Sequence, residues 1–326
     1  MNYPNIVVIG AGQIGSRHLQ ALALMDRALS IWVVDPSLQS LQSAEQSMNL
    51  VKDSIHAHEI QYLTSMTELP YELDAVIVAT NSHIRRAIIE QLLNEKKVKY
   101  IISEKVLFQN LCDYAEIEEK LREKNVLAWV NCPMRMMSFF QQLKTKLDKA
   151  HKVDYRVNGT QLGIGSNAIH HLDLLAYLTN CYHFSLNGYE LSDNVIESKR
   201  SGFIEFTGTL TGESAKARIS MTSYETGESP MHIHISTESM HCMIRPIEHK
   251  AWIADEDCNW AIKELSYTSK LQSQLTHHVV RQLLDTGSCE LTTYVKSSEL
   301  HLPLIKALLE KYQSITSDEV TTCPIT

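Results

Sequence analysis

The sequence predicts an α/β protein in two parts: a doubly wound parallel sheet, then an α+β domain with a mostly antiparallel sheet. Three observations predict it. Short apolar runs alternate with amphipathic stretches over the first 130 residues. After about residue 150, strand-like runs follow one another with only turn residues between them. The chain has 326 residues, long for one hydrophobic core and comfortable for two. The expected domains are 1–130 and 131–326.

The elements follow in order. NIVVIG (5–10), LSIWVVD (29–35), DAVIVAT (74–80), KYIIS (99–103) and VLAWVN (126–131) read as buried strands. Continuous β-branched runs suit a parallel sheet covered on both faces. Helical patterns lie between them at about 15–25, 37–48, 83–96 and 110–124. In the second half DYRVNGT, GFIEFTGTL, AKARISMTSY, MHIHIST, HCMIRP and KAWIAD read as successive strands. Helices interrupt them at 166–179 and near 270–285 and 297–312. The C-terminal TSDEVTTCPIT has little periodicity and is expected to wrap or fray.

Composition narrows the function. The formal charge is −8 and no basic patch stands out, which argues against a nucleic-acid partner. No apolar run reaches the roughly 18 residues of a membrane span. The start, MNYPNIVVIG, lacks the basic segment and cleavage site of a signal peptide, so a cytoplasmic protein is expected. Seven scattered cysteines without a CxxC pair read as free thiols, and no metal site is expected.

GAGQIG at 10–15 is a GxGxxG loop that closes a strand and opens a helix. Gly10 allows the tight turn, Gly12 lets the backbone approach a pyrophosphate, and Gly15 lets helix pack on strand. Gln13 and Ile14 complete the loop at a helix N-terminus, whose free N–H groups favour phosphate. Asp35 ends the second strand, where a carboxylate accepts from ribose hydroxyls and repels a 2′-phosphate. No Lys or Arg follows in PSLQS. The pattern predicts a Rossmann domain that takes NAD rather than NADP. The plainer reading is a glycine turn followed by an exposed Asp.

Ligands of open α/β sheets sit at carboxyl ends of strands. ATNSH (79–83) and SEKVL (103–107) fall there. Thr80 and Asn81 suit the cofactor's edge, and His83 lies there or caps the next helix. Lys105 could polarise a hydroxyl or carbonyl undergoing hydride transfer. Glu104 and Lys105 could equally be an exposed pair at a strand end.

The loop, ATNSH, SEK, NCPMR (131–135) and GSNAIHHLDLL (165–175) come in the order found in the glucose–fructose oxidoreductase/inositol dehydrogenase (Gfo/Idh/MocA) family. The chain resembles that family over nearly its whole length, including the late helix LTHHVVRQLLDTG. The resemblance implies a Rossmann domain, a second domain with a large open sheet, and nicotinamide-dependent redox chemistry on sugars or cyclitols. It implies homodimers or homotetramers built through that sheet. Lys105 matches the family's catalytic lysine, with Glu104 beside the cofactor; Arg135 matches an arginine that could face substrate. Val106 stands where the family has proline, and Asn81 follows Thr80 directly where another proline is usual.

The adjacent histidines divide on a helical wheel. With Ala168 at zero, Leu172, Leu175 and Ala176 lie within about 80° and form a core stripe. Ser166, His170, Asp173 and Tyr177 fall between about 140° and 200°, a polar stripe; His171 falls near 300°, among leucines. The bland reading of that stripe is solvent exposure. The resemblance matches His170 to the family's site histidine and Asp173 to the aspartate three residues on, while the family's catalytic aspartate falls on Ser166. Asn167 joins this set as a substrate contact. His232 and His234 share one strand face; as no third ligand stands at useful spacing, they read as polar residues of an open face.

These observations predict an NAD(H)-dependent oxidoreductase acting on a carbinol carbon of a sugar, sugar derivative or cyclitol. Lys105 and His170 handle the proton; Arg135, Ser166, Asn167, Asp173 and Tyr177 contact substrate. Two alternatives stand beside it: a redox-assisted lyase or hydrolase that uses NAD transiently, and an NAD-binding protein without chemistry.

Overall fold

The computed structural model describes residues 3–51, 59–316 and 320–326. Contacts divide the chain into two units. The first comprises Met1–Phe108, Cys112–Pro133 and Lys270–Val295; the second comprises Gln109–Leu111, Met134–Ser269 and Lys296–Thr326.

The first unit begins with β1 (Asn5–Ile9), α1 (Gln13–Leu22), β2 (Ser30–Val34), α2 (Leu38–Asn49) and β3 (Glu59–Leu63). It continues with β4 (Glu72–Val78), α3 (Ser82–Glu95), β5 (Lys97–Ser103), α4 (Cys112–Glu123) and β6 (Leu127–Val130). The second unit carries α5 (Ser138–Leu147), β7 (Val153–Thr160), α6 (Ile164–Thr179), β8 (Ser185–Asn187), β9 (Leu191–Glu197) and β10 (Ile204–Glu213). After them come β11 (Ala217–Tyr224), β12 (His232–Ser236), β13 (Met240–Arg245), β14 (Lys250–Asp255) and β15 (Lys263–Ser266). The chain then returns to the first unit with α7 (Thr276–Thr286) and β16 (Thr292–Thr293), and α8 (Tyr294–Thr316) follows.

The first sheet has the order β16-β6-β5-β4-β1-β2-β3. Its neighbours are parallel except β16 on β6. β1, β4 and β5 are buried through their C-terminal halves, as strands covered on both faces must be. β3 has no counterpart among the predicted strands. It is an edge strand with no fully buried position, so it lacks the continuous apolar run of its neighbours. Lys270–Val295 belongs to the first unit although it lies inside the range 131–326 expected for the second domain. The physical reason is α7, which packs on α1 and buries Val279, Val280 and Leu283.

The second sheet has the order β15-β14-β13-β12-β7-β11-β10-β8, with β9 also on β10. It is antiparallel except for the parallel pair β7 and β11 at its middle. Here burial alternates: Val153, Tyr155 and Val157 of β7 point inward while Asp154, Arg156 and Asn158 point away. One face is therefore covered and one open. α6 covers β10 and β11, and α5 packs on α6. The predicted strand patterns of this half omit β8, β9 and β15, which are short or largely exposed. Residues 320–326 pack rather than fray: Cys323 and Ile325 are fully buried, and Ile204 N–H donates to the Pro324 carbonyl at 2.9 Å. All seven cysteines are free thiols. Among the described residues, no helix is long and apolar enough to cross a membrane.

Candidate active site

Strand order reverses at β1, which lies between β2 and β4. Its carboxyl end is thus the switch point where open α/β sheets take ligands. Gly10 follows at φ 97°, a backbone that disfavours any side chain. A Cβ on Gly15 would stand 1.8 Å from the Gly10 carbonyl oxygen, so only glycine lets α1 start this close to the strand. Gly12 is the opposite case: a Cβ there would meet nothing within 4 Å. That open space adjoins the N-terminus of α1, whose cap residue Gly12 offers no side-chain acceptor. Gln13 is exposed and Ile14 half-buried in the first turn. Asp35 is drawn onto this loop: its Oδ2 accepts from Ala11 N–H at 2.8 Å and its Oδ1 from Ser37 N–H at 2.9 Å. Loop, helix end and carboxylate fit the pyrophosphate and ribose of a dinucleotide.

The next strand ends lie beside it. Thr80 is half-buried, while Asn81 and His83 are exposed at the start of α3. Two residues on, Arg85 is buried, and its guanidinium donates to the carbonyls of Thr80, Val106 and Leu107. One cation therefore ties the loop after β4 to the loop after β5. Lys105 is half-buried between them, and the Lys105–Val106 peptide is cis. Glu104 turns away from the surface: its Oε1 meets His18 Nε2 at 3.0 Å and accepts from Asn131 Nδ2. Burial works against the Glu104 charge, but His18, Asn131 and neighbouring Lys105 outweigh it and hold the carboxyl at about 2.

In the second unit α6 is buried on most of its circumference. The expected polar stripe is therefore not a solvated face, and its members part ways. His170 is half-buried and lines a cleft of about 660 Å³ with Asn167, Gln161, Met134, Leu162 and Met231. Asp173 is only 1% exposed and pairs with Arg135, 6% exposed, at 2.9 Å from Nε to Oδ2. Arg135 also donates to the Asp173 carbonyl and to the Tyr182 hydroxyl. Tyr177 takes Arg135 on its ring at 5.0 Å and Lys144 at 4.0 Å. Arg135, Asp173 and Tyr177 thus meet one another, although the wheel put Asp173 and Tyr177 on a polar stripe and the resemblance had Arg135 face substrate.

Ser166 lies in the first turn of α6, where the family motif has a carboxylate. A carboxylate does reach this turn, from β10. Glu205 is buried, and its oxygens accept from Gly165 N–H at 2.8 Å and Ser166 N–H at 3.2 Å. A negative charge at a helix N-terminus is favourable. The charge missing from Ser166 is supplied to the helix end from another strand.

His171 is buried with its Nδ1 2.9 Å from the Tyr155 hydroxyl, and burial pushes it down to about 4. Its effect on stability has a definite sign. Above pH 6.5 the ring is neutral in both folded and unfolded chains. As pH falls from 6.5 toward 4, the unfolded chain gains a proton that the folded one refuses. Stability is expected to drop by about 2 kcal/mol at pH 5 and about 3 kcal/mol at pH 4 from this group. Urea unfolding of the parent and of His171→Asn at pH 7 and pH 5 measures it; equal losses in both proteins would refute the assignment.

His232 and His234 stand on the open side of β12, their rings 6.4 Å apart, with His232 Nδ1 3.0 Å from the Pro230 carbonyl. Burial, with His232 and Arg156 close by, lowers the pKa of His234.

Arg85, His18 and Glu205 carry much of this arrangement and were not singled out by motif. Each is one polar residue in an amphipathic element, and sequence alone does not tell it from a solvated one. What marks them is burial with partners far along the chain, 86 residues apart for His18 and Glu104.

Comparison with known proteins agrees with this geometry. The GFO_IDH_MocA model, an oxidoreductase family with an NAD-binding Rossmann fold, matches residues 4–132. A myo-inositol 2-dehydrogenase from Thermotoga maritima is 25% identical over 143 residues, which cover 44% of this chain and 40% of that relative. UDP-N-acetylglucosamine 3-dehydrogenase GnnA from Acidithiobacillus ferrooxidans is similar in structure, with TM-score 0.69, 13% identity, and coverage of 94% of this chain and 97% of that one. An oxidoreductase from Agrobacterium radiobacter, solved with NAD+, L-tartaric acid and magnesium, gives TM-score 0.72 at 15% identity and covers 95% and 96%. At such identities the two structures establish the fold. Residues 4–132 thus match the NAD-binding Rossmann domain of the Gfo/Idh/MocA oxidoreductase family, and the fold of the whole chain is that of those structures.

Proposed function

We propose that the protein moves a hydride between NAD(H) and a carbinol carbon of a sugar, sugar derivative or cyclitol. The observation that carries this reading is Lys105, braced beside the dinucleotide loop by Arg85 through the carbonyls that flank it. Bound NAD+ supplies the hydride acceptor. In the oxidative direction the Lys105 amine takes the hydroxyl proton as the carbinol C–H leaves as hydride, and a carbonyl results. His170, at the cleft of the second unit, orients a substrate hydroxyl and relays a proton. Asn167 contributes polar contacts from the same wall. Arg135 and Asp173, paired with each other, hold α6 in place rather than reach substrate. The open face of the second sheet serves as the surface for a homodimer or homotetramer, which light scattering of the 37.0 kDa chain would read directly.

The test is a screen of sugars, cyclitols, sugar acids and nucleotide-sugars with NAD+, read by NADH absorbance. The expected result is NADH formed in step with a product two hydrogens lighter by mass spectrometry. Product without net NADH would shift the reading to redox-assisted elimination or hydrolysis. Tight NAD binding with no compound turned over would point to a binding protein.

A further inference from the structure

Five side chains of the first unit close a ring of hydrogen bonds around Glu104, the residue before Lys105. His18 Nε2 meets Glu104 Oε1 at 3.0 Å, and Asn131 Nδ2 donates to that same oxygen. Asn131 Nδ2 also donates to Gln272 Oε1 at 2.9 Å, and Gln272 Nε2 donates to Thr276 Oγ1 at 2.9 Å. Thr276 Oγ1 returns to His18 Nδ1 at 2.8 Å. His18 is fully buried, and Asn131 and Thr276 nearly so.

A single wiring is enough to satisfy the ring. An ionised carboxylate only accepts, so His18 carries its hydrogen on Nε2. Asn131 uses both amide hydrogens. Thr276 accepts from Gln272 and keeps its own hydrogen for His18 Nδ1. Every member of the ring then has a partner, which is what a buried polar network requires. The ring locks four separate stretches of chain: α1, the end of β5, the residue after β6 and the segment leading into α7.

We propose that His18 is a positioning residue, which with Thr276, Gln272 and Asn131 fixes the Glu104 carboxylate and thereby the Lys105 amine. The proposal rests on Lys105 as the proton carrier. Arg85 fixes the carbonyls that follow Lys105, and the ring fixes the side chain that precedes it. Glu104 and Lys105 are adjacent in the chain and Lys105 favours the Glu104 charge, so the carboxylate in turn favours the ammonium form of the lysine. If His18 no longer donates, the buried Glu104 charge must move toward water or take up a proton. Either change weakens its hold on Lys105.

The experiment is trace acetylation of the full-length protein with acetic anhydride at neutral pH, read peptide by peptide by mass spectrometry. Exposed Lys124 of the same unit is the reference. In His18→Leu and in Thr276→Val, Lys105 is expected to label about fivefold faster or more relative to Lys124. In His18→Gln, which keeps a donor for Glu104, the ratio should return to within about twofold of the parent. Should His18→Leu not fold, the near-isosteric Thr276→Val decides. An unchanged ratio in Thr276→Val, or a ratio raised as much in His18→Gln as in His18→Leu, overturns the proposal and leaves the ring a part of the core. Labelling needs no substrate, so this result stands apart from whether Lys105 carries the proton in turnover.

Discussion

Lys105→Met is expected to lower kcat/KM by about 10²–10⁴-fold on whichever substrate the screen yields, with NADH affinity within about twofold of the parent. Methionine keeps the length of the side chain and removes the proton carrier. A factor of that size is about 3–5 kcal/mol of transition-state stabilisation, the usual share of one positioned acid or base. The dinucleotide cradle should not notice. Its glycines, the N-terminus of α1 and Asp35 form their own connected set. Fluorescence titration with NADH separates the two effects. Full turnover in Lys105→Met would remove the lysine from the mechanism, whatever the cofactor affinity.

Asp173→Ala is expected to destabilise the second unit by about 3–5 kcal/mol, because it leaves the buried Arg135 guanidinium without its counter-charge. Burial works against the charge of Arg135, yet Asp173 and Tyr182 outweigh it and raise its pKa, so the arginine cannot escape by losing its proton. The double variant Arg135→Met/Asp173→Leu should recover much of the loss, since an apolar pair of similar volume avoids desolvation. Urea unfolding of both variants measures the difference. A loss under about 1 kcal/mol in Asp173→Ala would mean that water reaches the arginine, and it would reopen the pair as a substrate contact.

How much was legible in the sequence differs between the two halves. The strands of the first sheet are covered on both faces, so each writes itself as an unbroken apolar run. β3 and the two-residue β16 are the exceptions because they lie at the edges. The glycine loop was legible in position, and the geometry at each glycine is different: positive φ at Gly10, open space at Gly12, contact with the Gly10 carbonyl at Gly15. Asp35 was placed correctly at the end of β2, and its bond to Ala11 N–H came only with the fold. The parallel pairing of β7 with β11 was not legible, since strand patterns carry no direction.

The helix with two histidines shows the limit most clearly. The wheel set His170 apart from His171, and the two differ in burial, half-buried against buried, although both reach the same cleft. It assigned Asp173 to a polar face on the same geometry, and there it misled. A wheel records direction, not what the helix meets. Arg135 lies in that direction, so a carboxylate that looked solvated became half of a buried ion pair. His18 and Glu205 escaped notice for the same reason, since their partners lie on other elements.

Local chemistry and periodicity, which need only neighbours in sequence, determined the fold class and placed the glycine loop at the turn from β1 into α1. Which polar residues are buried, and against whom, was decided by the tertiary structure alone. A buried charge must find its partner wherever the fold puts one.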